Sequence, residues 1–252
     1  MFVGTDDRQE AAFAVCKHSM VRRSSDPVIV TALRERSLRH AGLYKREYEV
    51  RANGQYVDKI DGKPFSTQFS FTRFLVPEIA RQNKLHGWVG FCDNDFLWLD
   101  DVSKLFNLLK GREEALACVN FNLKFSEGQK MDGMQQTNYD RKLWSSLMFF
   151  NMDHPSTETI TPYAVNTMDG SFLHGFKWLE NKDICHMPPW WNFIPTVSTL
   201  NPSVETPSAV HFSLGLPNVP GHEDSPYAKE WFREHEHLIA TLHPRPSEWI
   251  TI

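Results

Sequence analysis

Apolar positions along this chain recur in short runs separated by polar breaks, the pattern of alternating strands and helices. Phe2-Val3-Gly4 is strand-like and stops at Thr5-Asp6-Asp7-Arg8, after which Ala12, Val15, Cys16, Ser19 and Met20 recur at helical spacing. Pro27 to Ala32, β-branched and apolar, predicts a second strand. Gly42 to Lys63 is polar, carries Gly54 and Gly62 and has little periodicity, so it reads as a loop excursion able to approach a ligand. Trp88 to Cys92 is a run short enough for a buried strand. Asp100-Asp101 then caps the periodic segment Val102, Leu105, Phe106 and Leu109, which ends at Gly111, giving strand, acidic turn and helix in succession. Ala115 to Phe121 is another short apolar run, Pro162 to Met168 reads as a short helix, and Tyr227 to Leu242 is helix-like.

The chemistry concentrates where the Trp88 strand ends. Asp93 and Asp95 flank Asn94, and in an open α/β sheet the crevice beyond the carboxyl ends of the strands is where ligands bind. Two carboxylates around one spacer can grip a hard divalent ion, which can bridge a nucleotide diphosphate. The alternative is a solvated acidic turn. Asp6 and Asp7 have a second reading of their own, as caps of the first helix. The glycine motif of dinucleotide-binding strand-turn-helix units is missing, which argues against a dehydrogenase.

Composition narrows the classes. With 252 residues, 41% of them hydrophobic, the chain can bury the core of one domain. A net charge of -4 provides no polybasic field, so no nucleic-acid partner is expected. No apolar run reaches the roughly 20 residues that span a bilayer, and the start shows no signal-peptide pattern. Cys16, Cys92, Cys118 and Cys185 are widely spaced without a Cys-X-X-Cys pair, so reduced thiols in a cytoplasmic setting are expected, with Cys16 and Cys92 as small core residues. Most of the eight tryptophans are expected in the core. His235-Glu236-His237 lacks zinc-protease spacing and reads as a solvated helix face.

Phe91-Cys92-Asp93-Asn94-Asp95-Phe96-Leu97-Trp98-Leu99-Asp100-Asp101 resembles the Asp-X-Asp segment of nucleotide-sugar glycosyltransferases of the GT-A fold, especially those similar to glycosyltransferase family 8. The stretch Phe69 to Glu78 resembles the helix that precedes the metal strand in that family. Leu143 to Asn151 resembles a later strand, with Arg141 to Ser146 closest to a bacterial and phage group. Met187 to Phe193 resembles its Leu-Pro-X-X-Trp-Asn-Phe, and Ala209 to Gly215 its His-Phe-X-Gly, with one extra residue between His211 and Gly215.

The resemblance implies one GT-A domain over residues 1–252, with a central, largely parallel sheet flanked by helices. About 1–120 would form the nucleotide-binding part and about 121–252 the acceptor side. It implies transfer of a sugar from a nucleoside diphosphate sugar, a UDP-sugar in the family, with retention, to a saccharide or other hydroxyl acceptor. Asp93, Asp95 and His211 would hold Mn2+ or Mg2+; Thr5, Asp6 and Arg8 would line the base pocket; Arg73, Asn94, Ser145, Ser146 and Gly215 would meet the rest of the donor. Lys124 to Arg141 would form a flap over it.

The family's Asp-Gln-Asp beside the reacting carbon has no counterpart, leaving Asp169, Glu180 and Asp183 as substitutes without a residue-by-residue match. Trp144 stands where the family has a sugar-contacting asparagine, and Asn218 near its phosphate-binding lysine. Two rivals stay open. One is a sugar- or nucleotide-binding module without catalysis. The other is a haloacid dehalogenase type phosphohydrolase, which Phe96 in place of Thr and the missing Gly-Asp-X-X-X-Asp oppose.

Overall fold

A computed structural model describes residues 1–121, 141, 143–195, 197–200 and 203–242. Among the described residues eleven strands run in chain order: β1 Phe2–Gly4, β2 Thr31–Leu33, β3 Tyr48–Val50, β4 Tyr56–Asp58, β5 Pro64–Phe65, β6 Trp88–Cys92, β7 Phe96–Trp98, β8 Leu116–Cys118, β9 Leu147–Asn151, β10 Ile184–His186 and β11 Ala209–His211. Six of them form the central sheet in the order β10-β8-β9-β6-β1-β2. Only β9 runs against the others, pairing antiparallel with both β6 and β8, so the sheet is mostly parallel as expected.

This topology gathers one end of the sheet into a single crevice. The carboxyl ends of β1 and β6 deliver Thr5-Asp6 and Asp93-Asn94-Asp95. Because β9 is reversed, Ser145 and Ser146 reach the same edge from just before its start. The amide of Asp93 donates to the Ser146 carbonyl at 2.9 Å, prolonging the β6·β9 ladder into the site. Gly4 ends β1 under the ring of Phe69, where a Cβ would sit 2.5 Å from the ring, so glycine is what lets the helix that opens at Phe69 lie on the strand.

Helix Glu10–Arg23 buries Ala12, Val15, Cys16, Ser19 and Met20, the five positions its periodicity singled out. Cys16 and Cys92 meet in the core with their sulfurs 3.9 Å apart, and all four cysteines are free and buried. Four of the seven described tryptophans, Trp98, Trp178, Trp191 and Trp231, are buried core residues. The last described helix, Ala228–Leu242, packs Trp231 inward and turns Glu236 and His237 outward; His235 stacks on Trp231.

Three expectations are corrected. The second strand begins at Thr31, beyond most of the apolar run read from Pro27. The polar stretch from Gly42 to Lys63 is no plain loop: it carries β3 and β4 of an antiparallel meander with β5. Tyr48, Tyr56, Phe65 and Phe71 knit it through edge-on and stacked rings. Fully buried Arg46 anchors it, bridging Asp58 through two bonds of 2.7 and 2.8 Å and the carbonyls of Val165 and Met168. Finally, the acidic turn does not lead straight into a helix: β7 intervenes before helix Ser103–Leu109.

That strand matters for the site. β7 pairs antiparallel with β11 in the register Phe96↔His211, Leu97↔Val210, Trp98↔Ala209, so the residue after Asp95 is directly opposite His211. The sequence distance between the Asp-X-Asp turn and the histidine is thereby closed by backbone pairing.

Candidate metal and nucleotide-sugar site

Asp93, Asp95 and His211 are all buried, and each offers a ligand atom within 4.8 Å of the other two; no other group of three or more such side chains appears among the described residues. Asn94 lies between the carboxylates at 1% exposure, and both its amide nitrogen and its amide oxygen are buried without a hydrogen-bond partner. A native structure rarely leaves buried polar atoms so, and a bound group is one explanation.

The orientation of His211 decides what it can do. The Ser146 hydroxyl donates to the Leu143 carbonyl at 2.6 Å and so accepts from the Asn192 amide nitrogen at 2.9 Å. That turns the Asn192 oxygen toward His211 Nδ1, 2.9 Å away, and Nδ1 must carry the proton. Its Nε2 therefore aims at the Asp95 carboxylate, 3.3 Å distant, while the ring lies flat on Phe96 with centroids 4.6 Å apart. The contact is favourable only when a positive charge lies between the two, whether a proton or a metal ion. With Asp93 also adjacent, a divalent cation fits the donor set, and a hydrogen bond on the far nitrogen is the usual support of a metal-bound imidazole. Two carboxylates with one imidazole suit Mn2+ at least as well as Mg2+.

Arg73 reaches the site from the segment Phe69 to Gln82, and its first partner is the protein. Its Nη1 is 2.9 Å from Asp93 Oδ1 and donates to the Ser145 carbonyl at 2.7 Å, and Nε donates to the Phe69 carbonyl at 3.2 Å. Arg73 thus holds Asp93 against Ser145 and lends charge to the carboxylate end of the crevice.

Beside it opens a cavity lined by Ser66, Thr67, Ser70, Arg73, Asp93, Arg141, Ser145, Ser146 and His174 with Phe65 and Phe71. Its wall is rich in hydroxyls, and apart from Asp93 no carboxylate lines it among the described residues.

At β1, Thr5 donates its hydroxyl to the Leu33 carbonyl, and Asp6 is engaged on all sides. Its carboxylate accepts from the Arg8 amide, Nε and Nη2 at 2.8–3.0 Å and from the Gln68 amide at 3.1 Å. Burial pushes the Asp6 carboxyl up, and the bonds from Arg8 more than offset it, so its pKa is lowered. The Arg8 guanidinium lies over Tyr56, 4.8 Å from the ring centre. A carboxylate with four donors has little left for a base edge; the partly exposed Arg8, lying over the buried Tyr56, is the surface offered.

The remaining candidates neither join this cluster nor line the cavity. Asp169 is exposed and caps helix Gly170–His174 through the Phe172 amide at 2.7 Å; exposed Glu180 pairs with Lys182 at 2.9 Å; and Asp183 leads into β10 with its carbonyl bound by the Ala115 amide. Gly215 underlies the His222 ring, and a Cβ there would fall 2.1 Å from its Nδ1. The Lys124 to Arg141 flap lies, apart from Arg141, outside the described residues.

Sequence reasoning assigned no role to Asn192, His174, Gln68 or Tyr56. His174 Nδ1 lies 3.0 Å from the Ser145 hydroxyl, with its ring against Phe71 and Phe74. Only Asn192 stood in a noticed motif; nothing local marks the others.

The architecture and the crevice define the class: this is the GT-A fold of the glycosyltransferases. Among solved structures, the chain is similar to the galactosyltransferase LgtC in complex with donor and acceptor sugar analogues, with a TM-score of 0.53 and 17% identity over 98% of each chain. It is also similar to the glycosyltransferase GlyE of Streptococcus pneumoniae, with a TM-score of 0.56 and 15% identity over 95% of this chain and 61% of that one. No protein-family model matches the chain. The chain belongs to the family of Protein CDI of Arabidopsis thaliana, with 39% identity over 239 residues, 94% of this chain and 85% of that protein.

Proposed function

We propose that this protein is a metal-dependent glycosyltransferase that moves a sugar from a nucleoside diphosphate sugar, a UDP-sugar by resemblance, to an acceptor hydroxyl. The observation that carries the reading is the buried Asp93, Asp95 and His211 cluster, with its histidine tautomer set by Asn192 and Ser146, at the carboxyl edge of a GT-A sheet. Such an ion, when bound, neutralises the diphosphate as it leaves.

The chain's own residues supply the rest. Asp93 and Asp95 orient the ligand set, Arg73 fixes Asp93, and the Asn94 amide, a double donor and an acceptor, suits the vicinal hydroxyls of a ribose. The hydroxyl-lined cavity beside Arg73 takes the sugar and excludes water from it. With no carboxylate besides Asp93 on its described wall, the oxygen of the departing phosphate is the base at hand. Attack from that same face retains the anomeric configuration. The first 120 residues or so form the nucleotide part, and the remainder the acceptor side. Among the described residues no helix is long and apolar enough to cross a membrane, and buried free thiols agree with a cytoplasmic setting.

The bare cavity wall also favours a second reading, a module that binds a nucleotide sugar without turning it over. A panel of UDP-, GDP-, CDP- and ADP-sugars with Mn2+, assayed for release of nucleoside diphosphate, separates the two. Turnover of one donor class, abolished by chelator, is expected. Tight binding without release in any donor would leave the binding module, and release unaffected by chelator would remove the metal from the reading.

A further inference from the structure

Arg141, at the end of the polar segment that starts at Lys124, lines the same cavity as Arg73, Asp93, Ser145 and His174. Its backbone is left-handed, with φ at 63°, a conformation that costs a non-glycine residue free energy. The side chain is held on two sides: Nη2 donates to Asn181 Oδ1, and the guanidinium lies over the Trp144 ring, 5.4 Å from its centre. The third group, Nη1, is buried with no hydrogen-bond partner, and Arg141 makes no ion pair with any described residue. Arg73, by contrast, is answered by Asp93. The cavity therefore contains one cation whose charge the described protein satisfies and one whose charge it does not. A buried guanidinium nitrogen without an acceptor is costly, and a planar fork fixed by stacking and one amide bond is pre-organised for an oxyanion.

We propose that Arg141 binds an anionic oxygen of the donor, either of the diphosphate or of a carboxylate on the transferred sugar. The proposal rests on the glycosyltransferase reading. Its stacking on Trp144 gives that tryptophan, which stands where the resemblance expects a sugar-contacting asparagine, a task of its own: it holds the guanidinium rather than the sugar.

The test is calorimetric titration of the full chain with Mn2+, comparing wild type, Arg141→Gln and Arg141→Lys. The ligands are a nucleoside diphosphate with the base that wild type binds, its neutral-sugar donor and its uronic-acid donor. Arg141→Gln is expected to weaken binding by roughly tenfold to a hundredfold, the weight of a charge-assisted hydrogen bond, with Arg141→Lys in between. A loss shared by all three ligands assigns the diphosphate, and a loss confined to the uronic-acid donor assigns the carboxylate. Equal affinity of wild type and Arg141→Gln for all three overturns the proposal. Mn2+ binding without nucleotide, which Arg141 does not touch, controls for the fold. A wild type that binds none of the three is a different result, and it removes the glycosyltransferase reading itself.

Discussion

On the proposed function, Asp95→Ala is expected to lower metal-dependent donor turnover at least about a hundredfold, because losing one of the proposed carboxylate ligands would forfeit several kcal/mol of charge stabilisation at the leaving diphosphate. The same variant is expected to be no less stable than wild type in the absence of metal. Asp93 and Asp95 are two buried carboxylates in one site, and removing one relieves their repulsion. The backbone contact that carries the fold survives, since the Phe212 amide bonds the Asp95 carbonyl rather than its side chain. Activity and thermal midpoints, each with Mn2+ and with chelator, check both halves. Loss of activity accompanied by an equal drop in stability with chelator would mark Asp95 as a structural residue.

The second large effect lies far from the cavity. Glu234 on helix Ala228–Leu242 is 1% exposed and receives His18 Nδ1 at 2.6 Å, Arg22 at 2.8 and 3.1 Å and Arg23 at 2.7 Å, all from helix Glu10–Arg23. Burial pushes the Glu234 carboxyl up, but the bonds from Arg22, Arg23 and His18 outweigh it and hold it down at about 2, against an ordinary 4.5. A depressed carboxylate stabilises the fold above its unfolded value, and that contribution disappears as pH falls from 4.5 through about 2. The shift corresponds to about 3 kcal/mol, similar to the 3–5 kcal/mol, roughly, that follows from breaking a buried ion pair. Denaturant unfolding of Glu234→Gln is therefore expected to show a deficit of about 3 kcal/mol near neutral pH that closes in that acid window. A deficit independent of pH would mean that packing of the helix, rather than the carboxylate charge, holds it.

Both effects arise from residues whose legibility in the sequence differed. Asp93 and Asp95 could be read directly, because an apolar strand cut off by two carboxylates is a local signal. His211 could be read only through resemblance, since its pairing with Phe96 depends on β7, three residues buried on both faces and without the alternation that betrays a strand. The meander of β3, β4 and β5 was missed for a related reason. Its strands are two or three residues long and owe their order to Arg46, Asp58 and an aromatic cluster assembled from distant positions. Asn192, His174 and Arg141 act through tertiary hydrogen bonds and stacking, which leave no periodicity to detect. The five inward positions of helix Glu10–Arg23, by contrast, were plain from spacing alone, because one face of an amphipathic helix repeats within a few residues. Glu234 lies on such a helix too, and there the same spacing rule fails: a charged residue occupies a buried position because two arginines and a histidine on the facing helix meet it.

The central claim is that Asp93, Asp95 and His211 hold a divalent ion on a nucleoside diphosphate. It is tested most directly by the thermal stabilisation of the purified protein by UDP, GDP, CDP and ADP, each with Mn2+ and with chelator. A ligand specific to the native state adds about 2.7 kcal/mol at a hundredfold excess over its dissociation constant, enough to move the midpoint by several degrees. A shift with one nucleoside diphosphate, UDP by resemblance, that requires Mn2+ is the predicted result. A shift of equal size in chelator, or none with any of the four, would contradict it.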